Sequence, residues 1–152
     1  MTFVPKKSLG QNFLNDKKVI KIIVDTGNIG QNDFILEVGA GTGNLTEIIL
    51  EQSPKKLIVI EKDQRLALYL NEKFGNRVNI FNEDMMKFEY EKYHKDKLTI
   101  FGNLPYNIST QILAKWIRIK NLDSFCKKFI LMFQKEVADR IIAETNSKNY
   151  GR

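Results

Sequence analysis

The sequence predicts an α/β domain built on a parallel sheet, and three observations carry that expectation. Short apolar runs such as DFILEV, KLIVIE and KLTIFG recur along the 152 residues, helix-patterned stretches separate them, and no repeat or low-complexity tract interrupts the alternation. Continuous rather than alternating apolar runs are what strands covered on both faces require.

Taken in order, a first helix is expected near 16–26, with Asn15 and Asp16 as its caps and its end before Gly27. Strands follow near 33–38, 56–61, 77–81, 97–102 and 127–133, with helices near 44–52, 63–74, 108–119 and 134–145 between and after them. Residues 1–152 read as one domain, and the polar tail ETNSKNYGR follows without a closing element.

Hydrophobic content of 43% with 28% charged residues suits a globular protein. No apolar run approaches the roughly 20 residues of a membrane span. The opening MTFVPKKSLGQNF lacks the apolar core of a secretory signal, and Cys126 is the single cysteine, so a cytoplasmic protein is expected. No Cys/His cluster suggests a metal, and His94 in EKYHKDK reads as a loop residue without a chemical task.

The formal net charge is +6, and the excess is local. Lys6, Lys7, Lys17, Lys18 and Lys21 face only Asp16 in their segment, and Lys115, Arg118, Lys120, Lys127 and Lys128 face only Asp123. Such clusters suit a polyanion whose condensed counterions are released on contact. Solvated lysine faces are the alternative, and charge alone does not choose between them.

The chemistry-bearing segments all follow strands. Glu37-Val-Gly39-Ala-Gly41-Thr-Gly43 is a glycine-rich turn between a strand and a helix, where missing β-carbons let the backbone approach a ligand. A dinucleotide site would want G-x-G-x-x-G for a pyrophosphate. The E-x-G-x-G-x-G form resembles that of S-adenosylmethionine methyltransferases; a plain tight turn is the other reading. The second strand ends in Ile60-Glu61-Lys62-Asp63, and a carboxylate at that tip can accept the ribose hydroxyls of an adenosine. After the third strand, Asp84 is placed to bond an adenine amine, with Met85 or Met86 as an apolar wall.

Asn103-Leu104-Pro105-Tyr106 follows the fourth strand and lands on the same sheet edge. Methylating an aromatic amine requires its lone pair to be drawn out of the ring. The Asn103 side-chain oxygen and the Leu104 or Pro105 carbonyl are candidate acceptors for the amine hydrogens, Pro105 fixing the backbone and Tyr106 offering a stacking face to a flipped base. Positioning and polar preorganisation then carry the catalysis, without a tuned general base.

These segments resemble the ribosomal RNA adenine dimethyltransferase family. The carriers are Lys7-Ser-Leu-Gly-Gln-Asn-Phe-Leu14, Glu37 to Thr46, Ile60-Glu61-Lys62-Asp63, Asn82-Glu83-Asp84, Phe101-Gly-Asn-Leu-Pro-Tyr-Asn-Ile-Ser109 and Gln134-Lys-Glu-Val-Ala-Asp-Arg140. The resemblance implies a Rossmann-like class I S-adenosylmethionine-dependent methyltransferase fold with strand order 3-2-1-4-5. It implies that Asn12 and Leu14 cover the cofactor, Gly39 and Gly41 contact it, Glu61 holds its ribose, Asp84 its adenine, and Asn103 bridges cofactor and target amine. The implied substrate is a pair of adjacent adenosines near the 3′ end of small-subunit ribosomal RNA, dimethylated within a pre-ribosomal particle by an enzyme expected to be monomeric. Lys6, Lys7, Lys17, Lys18, Lys127, Lys128 and Arg140 are the candidate RNA contacts. Relatives that methylate large-subunit RNA share the Q-N-F and N-L-P-Y-N-I-S segments, but Gln134-Lys-Glu-Val and Ser147-Lys-Asn-Tyr-Gly-Arg152 resemble the small-subunit branch.

Family members continue past Arg152 into further strands and a small helical domain. The expectation for these 152 residues is therefore a C-terminally incomplete methyltransferase domain with weak cofactor binding and little turnover. An RNA-binding module without catalysis is an alternative; a nicotinamide dehydrogenase is disfavoured by the glycine spacing.

Overall fold

The structure, a computed structural model, describes residues 3–93, 96–105, 108–148 and 150. Among them, β1 (Phe34–Val38), β2 (Lys56–Ile60), β3 (Asn79–Phe81), β4 (Leu98–Asn103) and β5 (Cys126–Met132) form one wholly parallel sheet in the order β3-β2-β1-β4-β5. This is the order the resemblance implies. The order in which successive strands are added reverses between β1 and β4, the position where open α/β sheets form a crevice at the carboxyl ends of their strands.

Alternation along each strand divides the core into two layers. Ile35, Leu57, Val59 and Phe101 face one side, where α1 (Lys17–Gly27) contributes Ile20 and Val24, α2 (Asn44–Glu51) contributes Leu45 and Ile49, and α3 (Gln64–Phe74) contributes Leu70 and Phe74. Leu36, Val38, Ile58, Ile60 and Ile100 face the other, against Ile112 and Trp116 of α4 (Ser109–Ile117), Phe125 of α5 (Leu122–Phe125) and the loop aromatics Phe88 and Tyr90. Each fully buried aliphatic or aromatic side chain removes enough apolar surface to contribute about 1.5–3 kcal/mol. No helix among the described residues is long and apolar enough to cross a membrane.

Three local features depart from the sequence reading. The single-turn α5 and the 3-10 turns at Lys7–Leu9, Gly75–Arg77 and Tyr90–Tyr93 are too short to show a period. Helix α6 (Lys135–Ile141) stops earlier than residue 145. Gly27 also does not end α1 from outside it. Asp16 caps that helix as expected, its carboxylate accepting from the N–H groups of Lys18 (2.8 Å) and Val19 (3.2 Å). The left-handed residue that stops it is Asn28, with φ of 46°, while Gly27 lies buried in the last turn. The reason is packing: a Cβ on Gly27 would stand 2.4 Å from Cζ of Phe101 in β4.

Gly27→Ala raises intrinsic helix propensity by about 1 kcal/mol, yet the Phe101 clash makes a net loss of about 1–3 kcal/mol the expected outcome. A urea midpoint that rises instead would show that the helix, not the contact, selects glycine here.

Candidate active site

The carboxyl ends of β1, β2 and β4 and the loop after β3 enclose a cleft of about 280 Å³, whose lining includes Gly39, Gly41, Glu61, Asp84, Met85 and Asn103. Its floor is the turn between β1 and α2. Gly39 N–H donates to the Ile60 carbonyl (2.8 Å), tying the turn to the end of β2. Positive φ selects glycine at Gly43 and Gly41 of the turn, and at Gly43 close contact selects it as well. At Gly43 (φ 78°) a Cβ would meet Leu70 and Phe74 of α3 at 2.7 Å, and at Gly41 (φ 59°) it would meet the Phe13 ring at 3.1 Å.

Glu61 is only 6% exposed. Its Oε2 accepts from the Gly41 N–H (2.9 Å) and its Oε1 from the Asp63 N–H (2.9 Å). Burial pushes its carboxyl above the usual range, against these backbone donors. An ionised carboxylate offers about four lone-pair positions, so two oxygens with one backbone donor each retain acceptor capacity toward the cleft. Asp84 bonds Lys62 Nζ through Oδ2 (2.8 Å) and the Met86 N–H through Oδ1 (2.9 Å). The Lys62 hydrogen bond is the largest cause holding its carboxyl below the usual range. Asn82 braces the two acidic loops, its Nδ2 donating to the Glu61 (2.9 Å) and Lys62 (3.2 Å) carbonyls.

Asn103 is the last residue of β4 and pairs in register with Met132 of β5, so the sheet itself fixes its backbone. Its Nδ2 donates to the Asn12 carbonyl (3.0 Å), which turns Oδ1 of the same amide the other way as an acceptor. The Pro105 carbonyl accepts from the Ile108 N–H (3.1 Å), so one of its two lone pairs is already engaged. The Leu104 side chain is 1% exposed and serves the core, so any catalytic part falls to its backbone. Tyr106, expected as the stacking ring, lies outside the described residues.

A segment from Ser8 to Leu14 roofs the cleft. Asn44 Nδ2 donates to the Leu14 carbonyl (2.9 Å), and Phe13 packs on Gly41. Asn12 and Leu14 thus join the roof through their carbonyls. Sequence reasoning missed three supporting residues. Gln11 and Asp63 bond each other (3.2 Å), and Thr46 Oγ1 donates to Glu37 (2.7 Å) beneath the glycine turn. Their only signal was membership of the quoted motifs.

The lysines do not form one patch. Lys17 and Lys18 are exposed at the start of α1. Lys6 is ion-paired with Asp63 (3.3 Å), and Arg140 with Glu136 one turn earlier in α6. Lys127 and Lys128 sit at the amino end of β5, across the sheet from the cleft, where Lys127 pairs with Asp33 (2.7 Å) and Lys128 donates to the Gly27 carbonyl (2.7 Å). The Lys7 side chain lies outside what the structure describes.

This topology and this cleft define a Rossmann-like domain of the class I methyltransferase type. The profile described as "Ribosomal RNA adenine dimethylase" matches residues 3–152, and the chain belongs to that family. It is 53% identical over 147 residues to "Ribosomal RNA small subunit methyltransferase A" of Pelagibacter ubique, covering 97% of this chain and 56% of that protein. A protein of the same name from Ehrlichia ruminantium is 44% identical over 152 residues, with 97% and 56% covered. The chain thus spans about half the length of the curated relatives it matches. Among solved structures, a dimethyladenosine transferase from Plasmodium falciparum superposes with a TM-score of 0.78 at 31% identity, over 91% of this chain and 49% of that one. The 23S rRNA methyltransferase ErmE gives 0.74 at 26% identity, over 93% and 53%.

Glu37 yields a pH prediction. Burial pushes its carboxyl up to about 7 from 4.5, with the Thr46 hydrogen bond opposing. A raised folded value means the fold binds the proton more tightly, so this stabilisation is complete below about pH 4.5 and is lost as pH rises toward 7, up to roughly 3 kcal/mol. Glu37→Gln keeps a partner for Thr46 and is expected to remove that part of the decline. Urea midpoints at pH 5 and pH 8 that fall equally in both proteins would contradict it.

Proposed function

We propose that the cleft binds S-adenosyl-L-methionine and that the protein dimethylates the exocyclic N6 amine of adenosine in ribosomal RNA. We further propose that the substrate is the pair of adjacent adenosines near the 3′ end of small-subunit RNA within an assembling particle. The observation that carries the reading is the convergence of Glu61, Asp84 and Asn103 on one sheet edge, with the Asn103 amide oriented by Asn12.

The lining suits the cofactor. Two acids of the lining, Glu61 and Asp84, favour a cation, and Met85 and Met86 supply an apolar wall for an adenine ring. A Cβ at Gly39 would project toward the Asn103 carbonyl (3.8 Å) and Met85 Cε (3.9 Å), into the space the cofactor needs. When bound, the cofactor supplies an electrophilic methyl group on its sulfonium. Glu61 accepts the ribose hydroxyls through its remaining lone pairs, and Asp84 accepts from the adenine amine, sharing its outer oxygen with Lys62. Asn103 Oδ1 and the Leu104 carbonyl accept the two N–H groups of the target amine and draw its lone pair out of conjugation. The roof from Ser8 to Leu14 keeps water from the reacting atoms.

RNA is expected on the face that carries Lys17 and Lys18. Lys127 and Lys128 sit at the opposite end of the sheet and belong to a separate surface. The small-subunit assignment is supported by the names of the curated relatives. ErmE keeps a large-subunit substrate as the second reading.

The test is single-turnover methyl transfer, with protein in excess, to undermethylated small-subunit particles and to naked large-subunit RNA. Asn103→Ala is expected to slow transfer by about 10²–10³-fold, as loss of a preorganised polar group does, while RNA affinity stays within about twofold. Transfer by Asn103→Ala at the parent rate overturns the catalytic assignment, and transfer to large-subunit RNA alone overturns the substrate.

A further inference from the structure

Glu61, Asp84 and Asn103 account for the cleft, and one buried charge beside it is left without a task. Asp63 is 3% exposed, and its carboxylate collects donors from two directions. Arg65 supplies its backbone N–H (3.1 Å), Nε (3.1 Å) and an Nη (2.7 Å). From the far side come Gln11 Nε2 (3.2 Å) and Lys6 Nζ (3.4 Å to one oxygen, 3.3 Å to the other). As the N-cap of α3 Asp63 needs only the Arg65 N–H; capping does not explain the rest.

The partners on the far side are the start of the roof. The Lys6 N–H donates to Gln11 Oε1 (2.8 Å), so the Gln11 amide is fixed at both ends, its oxygen by its own segment and its nitrogen by Asp63. Leu9 and Gln11 N–H both donate to the Lys6 carbonyl (3.1 and 3.3 Å), folding the segment into a compact strap. Asp63 also reaches the floor, since its own N–H donates to Glu61 Oε1, while Glu61 Oε2 takes the Gly41 N–H beneath Phe13. The connections close a ring from strap to Asp63 to Glu61 to Gly41 and back to the strap through Phe13.

We infer that Asp63 is a positioning residue that latches the strap formed by residues 6–14 over the cleft and thereby sets how long a bound nucleoside cofactor stays. The inference rests on the cofactor reading above. Physically, the strap closes because a buried carboxylate is costly unless its oxygens are matched, and hydrogen bonds to an ionised acceptor are about twice as strong as neutral ones. It also gives Lys6 a structural task in place of the RNA contact expected from its charge.

The test needs a readout that does not depend on the cofactor. Lys6→Met with Gln11→Ala removes the strap's side of the latch, together with the Lys6 N–H bond to Gln11 inside the strap, and leaves Asp63 and its cap untouched; Asp63→Asn removes the charge, keeps a competent cap and leaves that inner bond in place. In the cofactor-free 152-residue chain, hydrogen exchange at the Leu9 amide is expected to rise about tenfold in both variants, the effect of about 1.4 kcal/mol, with amides inside α3 unchanged in the double variant. Stopped-flow with S-adenosyl-L-methionine is expected to show dissociation faster by about tenfold and association within about twofold. Unchanged strap exchange in the double variant overturns the latch, as does equal loosening of α3. A loosened strap with unchanged dissociation overturns its role in retention. If the unmodified chain binds no S-adenosyl-L-methionine, the cofactor reading and the retention role fall together, and the exchange measurement still decides the latch.

Discussion

The burial of one carboxylate constrains the whole carboxyl edge of this sheet. Glu61 stands at the tip of β2 with almost no exposure, and a charge in that position is tolerable only if donors are built in around it. Two backbone N–H groups meet that need, one from the glycine turn after β1 and one from the start of the loop into α3. The Gly41 donor requires the left-handed turn, and the Asp63 donor requires the chain to bend at once after the strand. The acid thus holds both loops in place, and a ligand meets a floor already shaped.

The rest of the site follows from strand order. Parallel strands bring their carboxyl ends to one edge, and the reversal between β1 and β4 opens a crevice between the glycine turn and Asn103. Asn103 itself is anchored twice, by sheet pairing with Met132 and by its side-chain bond to Asn12. Such rigidity suits the proposed reaction, in which acceptors would have to be in place before the amine arrives.

Much of this was legible in the sequence, for physical reasons that differ from segment to segment. The central strands β1, β2 and β4 are legible because buried parallel strands are apolar on both faces, and Glu61, Asp84 and Asn103 because each stands at or within three residues of the carboxyl end of a strand. Gly27 was misread because glycine marks helix ends so often; its contact with Phe101 comes from a strand remote in sequence. Charge alone places Lys127 and Lys128 among the RNA candidates, and only the strand order shows that they stand at the amino end of β5, opposite the cleft. Asp63 read as the end of a motif, and nothing local announces that its partners include Lys6 and Gln11. The turn of α5 is too short for periodicity to reveal.

Calorimetric titration of the chain with S-adenosyl-L-methionine, beside Glu61→Ala, is the most direct test of the central claim. Saturable binding in the micromolar range, weakened at least about tenfold in the variant, is the predicted result, since two charge-assisted bonds are removed. A folded protein that binds no cofactor, or binds it equally well without the Glu61 carboxylate, would contradict it.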